Sequence, residues 1–193
     1  MAKTFDLNDA SYDAGSNSAI FNNGIAGVVD NCKARLERTK QEDKSNPSAP
    51  DYKIFFADSA GAEVNMAFWY PKEDDSDENI IRFLKKLKHL AHCFCGDDAQ
   101  LPSGSPKAIL DGVMKMLKDS GLQMPVRVMT NYGTNGYESR YLRVRNFVPF
   151  VEPMTVLKDE TRLRASNIEN MERPAAEETS GAVASASSDD DWD

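Results

Sequence analysis

The chain has 193 residues, 40 % of them hydrophobic, which is enough for one domain with a real core. Its net charge is −8, but residues 171–193 carry seven acids against one base, and the first 170 residues hold 24 acids and 22 bases. The body is therefore close to neutral, so the acidic total does not exclude a nucleic-acid partner. No run of about 18 or more apolar residues is present, so we expect no membrane-spanning helix.

Residues 1–18 are rich in Ser, Asn, Asp and Gly, and we expect them to form a flexible N-terminal arm. They lack the apolar segment of a secretory leader. The three cysteines, Cys32, Cys93 and Cys95, are an odd number in a chain of ordinary size, which favours reduced thiols. These features together predict a cytoplasmic protein.

The first periodic segment, 27–40, alternates as a strand. Its apolar face holds Val28, Cys32, Ala34 and Leu36, and Asp30 is the exception on that face. Two shorter strands, 52–57 and 64–70, flank a glycine-containing connection and predict a hairpin.

Two helices follow the acidic loop 72–78. The first is amphipathic, with Asp77 as the expected N-cap and Gly96 as the stop. The second opens at Ser105. Two further strands are predicted, a short one over 126–130 and a long one over 137–151.

The predicted order is β-β-β-α-α-β-β, which is mostly β with an α insert. This order favours a five-stranded OB-fold-like Greek-key barrel, with the helices between strands 3 and 4. We expect this domain to span 19–154. A short helix or linker would follow over 155–171, and then a disordered acidic tail over 172–193.

The long strand 137–151 carries the strongest candidate site. Because side chains alternate along a strand, one face would hold Leu142, Val144, Val148 and Phe150. The opposite face would hold Tyr137, Tyr141, Arg143, Arg145 and Phe147. Aromatic rings stack on unpaired bases and guanidinium groups meet phosphates, so this face predicts binding of single-stranded nucleic acid.

The same alternation extends the candidate surface onto the neighbouring strands. The added outward-facing residues are Lys33, Arg35, Lys53, Phe55 and Trp69. The pattern equally fits a sheet face that is covered by a helix or by a partner subunit, and a register error of one residue would exchange the two faces.

Metal and catalytic motifs are weak. His89, His92, Cys93 and Cys95 all fall within one helical stretch, so buried thiols and a solvated histidine face are favoured over zinc. The carboxylates of the acidic loop are nearly consecutive, which fits a solvated loop better than a magnesium site. No Walker loop, nucleophile elbow or HExxH motif is present, so the chain is expected not to be an enzyme and to need no cofactor or metal.

The chain closes with an acidic cluster around one tryptophan, formed by Asp189, Asp190, Asp191, Trp192 and Asp193. An exposed tryptophan in a segment too polar to fold is costly, and its expected use is to dock in a basic, apolar pocket of a partner.

The meander-helix-hairpin order, the strand 137–150 and the tail 189–193 resemble bacteriophage single-stranded DNA-binding proteins. The resemblance implies an OB-fold core that binds single-stranded DNA without sequence preference, in replication or recombination. It also implies a tail that recruits replication or recombination proteins and competes with DNA, and a location in the host cytoplasm. Two departures are the second helix between strands 3 and 4 and the Trp-Asp ending.

Two other functions remain open from the sequence. One is a non-catalytic structural or interaction module, such as a virion component, that uses the same sheet face as a protein interface. The other is a metal-dependent nuclease, which would need carboxylates that converge from separate elements. The choice between DNA and RNA, the site size and the formation of homo-oligomers are also left open.

Overall fold

The computed structural model describes residues 19–39, 48–133 and 142–164. The predicted arm 1–18, the predicted tail 172–193 and the residues Tyr137 and Tyr141 lie outside these ranges. A short 3-10 turn, Phe21–Gly24, comes first. The elements that follow are β1 (Gly27–Arg38), β2 (Tyr52–Ala57), β3 (Glu63–Phe68), α1 (Asp77–Cys95), α2 (Pro106–Asp119), β4 (Val126–Tyr132), β5 (Leu142–Val144) and β6 (Val151–Pro153).

The strands form one antiparallel sheet in the order β3-β2-β1-β4-β5, and β6 pairs with the other end of β4. The long strand β1 joins the two halves, because its second half pairs with β2 and its first half with β4. Among the described residues no ladder joins β3 to β5, so the sheet is open. The class is thus a six-stranded antiparallel sheet with two helices, and the predicted closed ring of five strands is not observed.

A bulge interrupts the pairing of β1 with β4. Val29 and Cys32 are three positions apart on β1, but their partners Val128 and Val126 are only two positions apart on β4. The extra residue is accommodated near Asn31, whose φ is 58°. A bulge of this kind shifts the alternation of side chains by one residue.

The shift corrects the face predicted for the start of β1. Val29, and not Val28, packs against the core before the bulge, while Cys32 is fully buried after it. Asp30, the exception in the sequence pattern, lies on the outer face because the alternation changes between these residues. The predicted inward position of Val28 was therefore wrong.

Both helices begin at capping serines. The Oγ of Ser76 accepts a hydrogen bond from the Asn79 N–H at 3.3 Å, so the N-cap is one residue before the predicted Asp77. Ser105 caps α2 as predicted. Gly96 ends α1 with φ of 89°, a conformation that glycine adopts without strain.

The core lies between the inner face of the sheet and the two helices. Its fully buried side chains come from both layers, and the largest include Ile54, Phe56, Phe150, Leu87, Leu90 and Leu110. Close packing here fixes which face of β2 and β3 is left outside.

The predicted continuous strand over 137–151 is interrupted in its described part. β5 ends at Val144, residues 145–150 form a loop, and β6 begins at Val151. Pro149 has no N–H to give to a ladder, which opposes a continuous strand through this point. Arg145 and Phe147 therefore do not lie on a strand.

Residues 155–164 form turns, so the described part of 155–171 is not the short helix that was one of its two expected structures, the other being a linker. They pack on the domain, since Leu163 is buried and Glu152 accepts hydrogen bonds from Thr161 Oγ1 at 2.6 Å and from the Arg162 N–H at 2.8 Å. The packed chain thus continues past 154, the predicted end of the domain.

Candidate nucleic-acid interface

The outer face of β1 and β2 brings together four of the predicted contact residues. The β1–β2 register places Arg35 opposite Phe55, and Lys33 and Lys53 are each two positions away along their own strands. Residues two apart share a face, while Ile54 between them is fully buried on the other side. We call Lys33, Arg35, Lys53 and Phe55 the outer patch.

Arg35 is held over the ring of Phe55. Its Cζ lies 3.7 Å from the ring centroid. Its Nε and Nη2 donate to the two carboxylate oxygens of Glu63 at 2.7 Å each, and Nη1 donates to Glu37 at 3.3 Å. The hydrogen bond with Glu63 raises the pKa of Arg35, and the same contact lowers the pKa of Glu63. The guanidinium is therefore a fixed planar group on top of an aromatic ring.

Glu37 and Glu63 were not predicted as parts of this surface. They set two carboxylates beside three cations, so the outer patch and its immediate surroundings are only weakly positive. Glu37 follows Arg35 by two residues, and Glu63 lies opposite Ala57 in the hairpin. Spacing along β1 and the hairpin register were the signals that could have found them.

Trp69 extends the outer face past the end of β3. Its side chain is exposed, and its Nε1 donates to the carbonyl of Ser48 at 3.0 Å. It follows Asn65, the partner of Phe55, by four residues, which is about 14 Å along the strand. Lys53 lies between Phe55 and Trp69, so the face presents the Arg35 guanidinium on top of Phe55, then a lysine, then the Trp69 ring.

Three predicted residues near β5 do not join the outer patch. Arg143 lies on β5 opposite Asn131 of β4, and both β1 and β4 separate β5 from β2. Arg145 turns toward the protein, with its Nη1 donating to the Pro149 carbonyl at 3.3 Å. Phe147 is exposed, but it sits in the loop 145–150. The prediction that Arg145 and Phe147 share the patch failed because the strand ends before them.

The loop 145–150 is tied to α1 and not to the outer patch. Lys86 of α1 donates a hydrogen bond to the side chain of Asn146, directly before Phe147. The adjoining Val148 lines a surface cavity together with α1 residues, among them Lys85 and Lys88. Phe147 is thus an exposed aromatic residue that belongs to a different surface.

A buried charge cluster covers the outer face of β4. The Nε of Arg127 donates to Asp30 at 2.7 Å, Nη1 lies 3.8 Å from Glu152, and Nη1 also donates to the Val156 carbonyl at 3.5 Å. We call Asp30, Arg127 and Glu152 the Arg127 cluster. It holds the segment after β6 against β4, whereas none of the other described segments packs over the outer face of β1–β3 in the same way.

Two of the histidine and cysteine candidates on α1, His89 and Cys93, contact the same backbone carbonyl. His89 Nε2 lies 2.7 Å from the Val151 carbonyl, and Cys93 Sγ lies 3.4 Å from the same oxygen. Burial lowers the pKa of His89 and raises the pKa of Cys93 to about 12, which favours the neutral forms of both. Within the described ranges no group of three or more His, Cys, Asp or Glu is placed to hold a metal ion.

Comparison with known proteins finds no matching family model, no similar curated protein and no similar solved structure. Among the helices of the described residues, none has both the length and the apolar character needed to cross a membrane. The site therefore has to be judged on its own chemistry.

Proposed function

We propose that this chain binds single-stranded DNA without sequence preference and without catalysis, in replication or recombination. The observation that carries the proposal is the exposed Arg35 guanidinium on top of the half-buried Phe55 ring, with Lys53 two positions along β2 and the exposed Trp69 beyond it. Stacking on a planar side chain is worth about 1–3 kcal/mol per base, and cations between the rings meet the phosphates. Phosphate contacts release counterions, so binding weakens as salt rises.

The strand order is compatible with the proposed OB-fold-like barrel. β1 pairs with both β2 and β4, and the edges of β3 and β5 come close to one another at the remaining gap. In OB-folds the face of strands 2 and 3 binds oligonucleotides together with the loops after strands 1 and 4. In this chain the sequence between β4 and β5 includes Tyr137, Arg140 and Tyr141, which have the same chemistry as the outer patch.

The acidic residues 189–193 complete the proposal. A tryptophan among carboxylates suits a basic, apolar pocket on a replication or recombination protein. The same carboxylates would compete with DNA phosphates for the cations of the body, so the segment also limits nonspecific binding.

A second candidate function is a protein-interaction module. Glu37 and Glu63 nearly neutralise the cations of the outer patch, and a surface of mixed charge with exposed aromatic residues also fits a protein interface. This function predicts a salt-insensitive oligomer or complex in which Phe55 and Trp69 become buried.

The decisive experiment is fluorescence anisotropy of labelled oligo-dT with the full chain at two salt concentrations, with unlabelled duplex as competitor. Binding that falls with salt and resists the duplex is expected. Trp69→Ala should weaken it about tenfold by removing a ring on which a base can stack, and Phe55→Ala should weaken it by removing the ring that supports the Arg35 guanidinium. Phe147→Ala is the matched control, because that exposed ring lies outside the outer patch. No binding, together with self-association at low concentration, would favour the interaction module.

A further inference from the structure

A cavity of about 480 Å³ lies between the end of β1, the start of β2 and α2. Its apolar lining comes from Leu36 and Met114. We call it the α2 cavity. It is separate from the outer patch, since Tyr52 and Leu36 point to the inner side of the same two strands. The volume falls within the range of small-molecule sites.

Asp111 supplies the polar centre of the α2 cavity. Its Oδ1 accepts hydrogen bonds from the Tyr52 hydroxyl at 2.6 Å and from the Tyr70 hydroxyl at 2.8 Å. Burial raises the pKa of both phenols, so they remain donors. The other oxygen, Oδ2, accepts no hydrogen bond from the described part of the chain. The two tyrosines therefore fix the carboxylate and leave one oxygen for an N–H donor.

Cations surround this carboxylate. The Cζ of Arg38 lies 5.5 Å from the ring centroid of Tyr52. Lys115 and Lys118 are exposed and project from α2 into the same lining, with Lys115 also paired to Asp119 at 2.7 Å. The lining thus holds three cations and one acid. Its chemistry fits a molecule with an anionic group, a planar apolar body and an N–H donor.

We propose that the α2 cavity binds a nucleotide whose base carries an exocyclic amino group. The free oxygen of Asp111 would accept from that amino group, and Arg38 and Lys118 would hold the phosphate. Thymine is disfavoured, because carbonyl oxygens flank its single N–H and would face the carboxylate. The choice of a nucleotide over other anionic aromatic compounds rests on the proposed function.

The test is calorimetric titration of the full chain with dCMP and with dTMP at low salt. We expect dCMP to bind at least about tenfold more tightly than dTMP, the effect of one hydrogen bond to a charged acceptor. Asp111→Asn should abolish the difference, because the amide can keep its oxygen toward the tyrosines and present its NH₂ group to the base. Asp98→Asn, an exposed acid after α1, is the matched control and should change neither affinity.

A second variant guards against misfolding of Asp111→Asn. The double variant Lys115→Gln/Lys118→Gln changes two exposed side chains. It should lower the affinity for dCMP and the affinity for dTMP by the same factor, because both nucleotides carry a phosphate. Equal affinities for dCMP and dTMP in the unmodified chain, or no binding at roughly millimolar nucleotide, would overturn the inference. Binding of oligo-dT separates the two proposals. If the chain binds oligo-dT but not dCMP, the proposed nucleotide site in the α2 cavity is wrong and the proposed function stands. If the chain binds dCMP but not oligo-dT, the proposed function is wrong and the nucleotide site stands.

Discussion

Arg35 faces Phe55 across the β1–β2 ladder, and Glu63 holds the edge of its guanidinium with two hydrogen bonds of 2.7 Å. The surface offered to a ligand is therefore the guanidinium and not the phenyl ring beneath it. A guanidinium plane can stack on a base as well as contact a phosphate. Glu63 orients that plane, but its charge opposes a polyanion.

Glu63→Gln separates these two effects of Glu63. Removing the charge should tighten oligo-dT binding about threefold at low salt and steepen its salt dependence. The measurement is anisotropy over a salt series. Glu78→Gln is the matched control, because Glu78 also forms an exposed pair with an arginine, Arg82 at 2.7 Å, but on α1. An equal gain in both variants would show that only net charge matters.

Arg127→Met should lower the free energy of unfolding by about 3 kcal/mol. The substitution leaves the buried Glu152 without its cation and the half-buried Asp30 with only the exposed Lys158, whose Nζ lies 3.5 Å away, and it releases the Val156 carbonyl. Urea unfolding monitored by circular dichroism measures the change. Arg82→Met removes an exposed pair and should stay within about 0.5 kcal/mol of the unmodified chain. Similar losses in both would contradict the role assigned to the Arg127 cluster.

Stability should fall as the pH drops below about 6.5, the ordinary pKa of histidine in an unfolded chain. Burial lowers the pKa of His89 in the folded protein, so below pH 6.5 the unfolded state binds a proton that the folded state does not. The free energy of unfolding therefore decreases until the folded pKa is reached. His89→Gln should flatten this part of the curve in urea titrations from pH 7.5 to 5.

The sequence has only one other histidine, His92. His92→Gln provides the control and should keep the slope below pH 6.5. If the slope persists in His89→Gln and vanishes in His92→Gln, the pH dependence arises from His92 and the prediction for His89 is wrong.

Gly112→Ala should destabilise the protein by about 1–3 kcal/mol. In an isolated helix the change would stabilise by about 1 kcal/mol, so the sign of the effect is informative. A Cβ at this position would lie 2.7 Å from Cβ of Pro102, which must then move. Thermal unfolding gives the measurement, and adding Pro102→Gly, which removes both the Cβ and the Cγ in the way, should recover part of the loss. A stabilised Gly112→Ala variant would show that the contact is easily relieved.

Much of the outer patch could be predicted from the sequence. The hairpin of β2 and β3 places Lys53 and Phe55 outside because Ile54 and Phe56 must be buried, and alternation alone gives that result. Ser105 and Gly96 likewise mark helix ends from the sequence, whereas the cap of α1 is Ser76 and not the predicted Asp77. These signals are local, so predictions from them do not depend on the tertiary contacts of the rest of the chain.

The errors lie where a local pattern met a tertiary constraint. The alternation from Leu142 to Phe150 looked like one strand, but Pro149 breaks the ladder and Phe150 reaches the core from a loop. In the sequence, the signal of the bulge near Asn31 is Asp30, a charged residue at a position where the alternation calls for an apolar one. That charge finds Arg127, a partner 97 residues away, which no spacing rule reveals.

The central position of β1 has a consequence for how binding data are interpreted. Among the described strands it is the one hydrogen-bonded to both β2 and β4, so the outer patch and the Arg127 cluster share a backbone and should open together in hydrogen exchange. A variant far from the ligand can then weaken apparent affinity merely by reducing the fraction of folded molecules. Weaker binding by an Arg127 variant indicates a lost contact with the ligand only if the fraction of folded molecules has been measured and is unchanged.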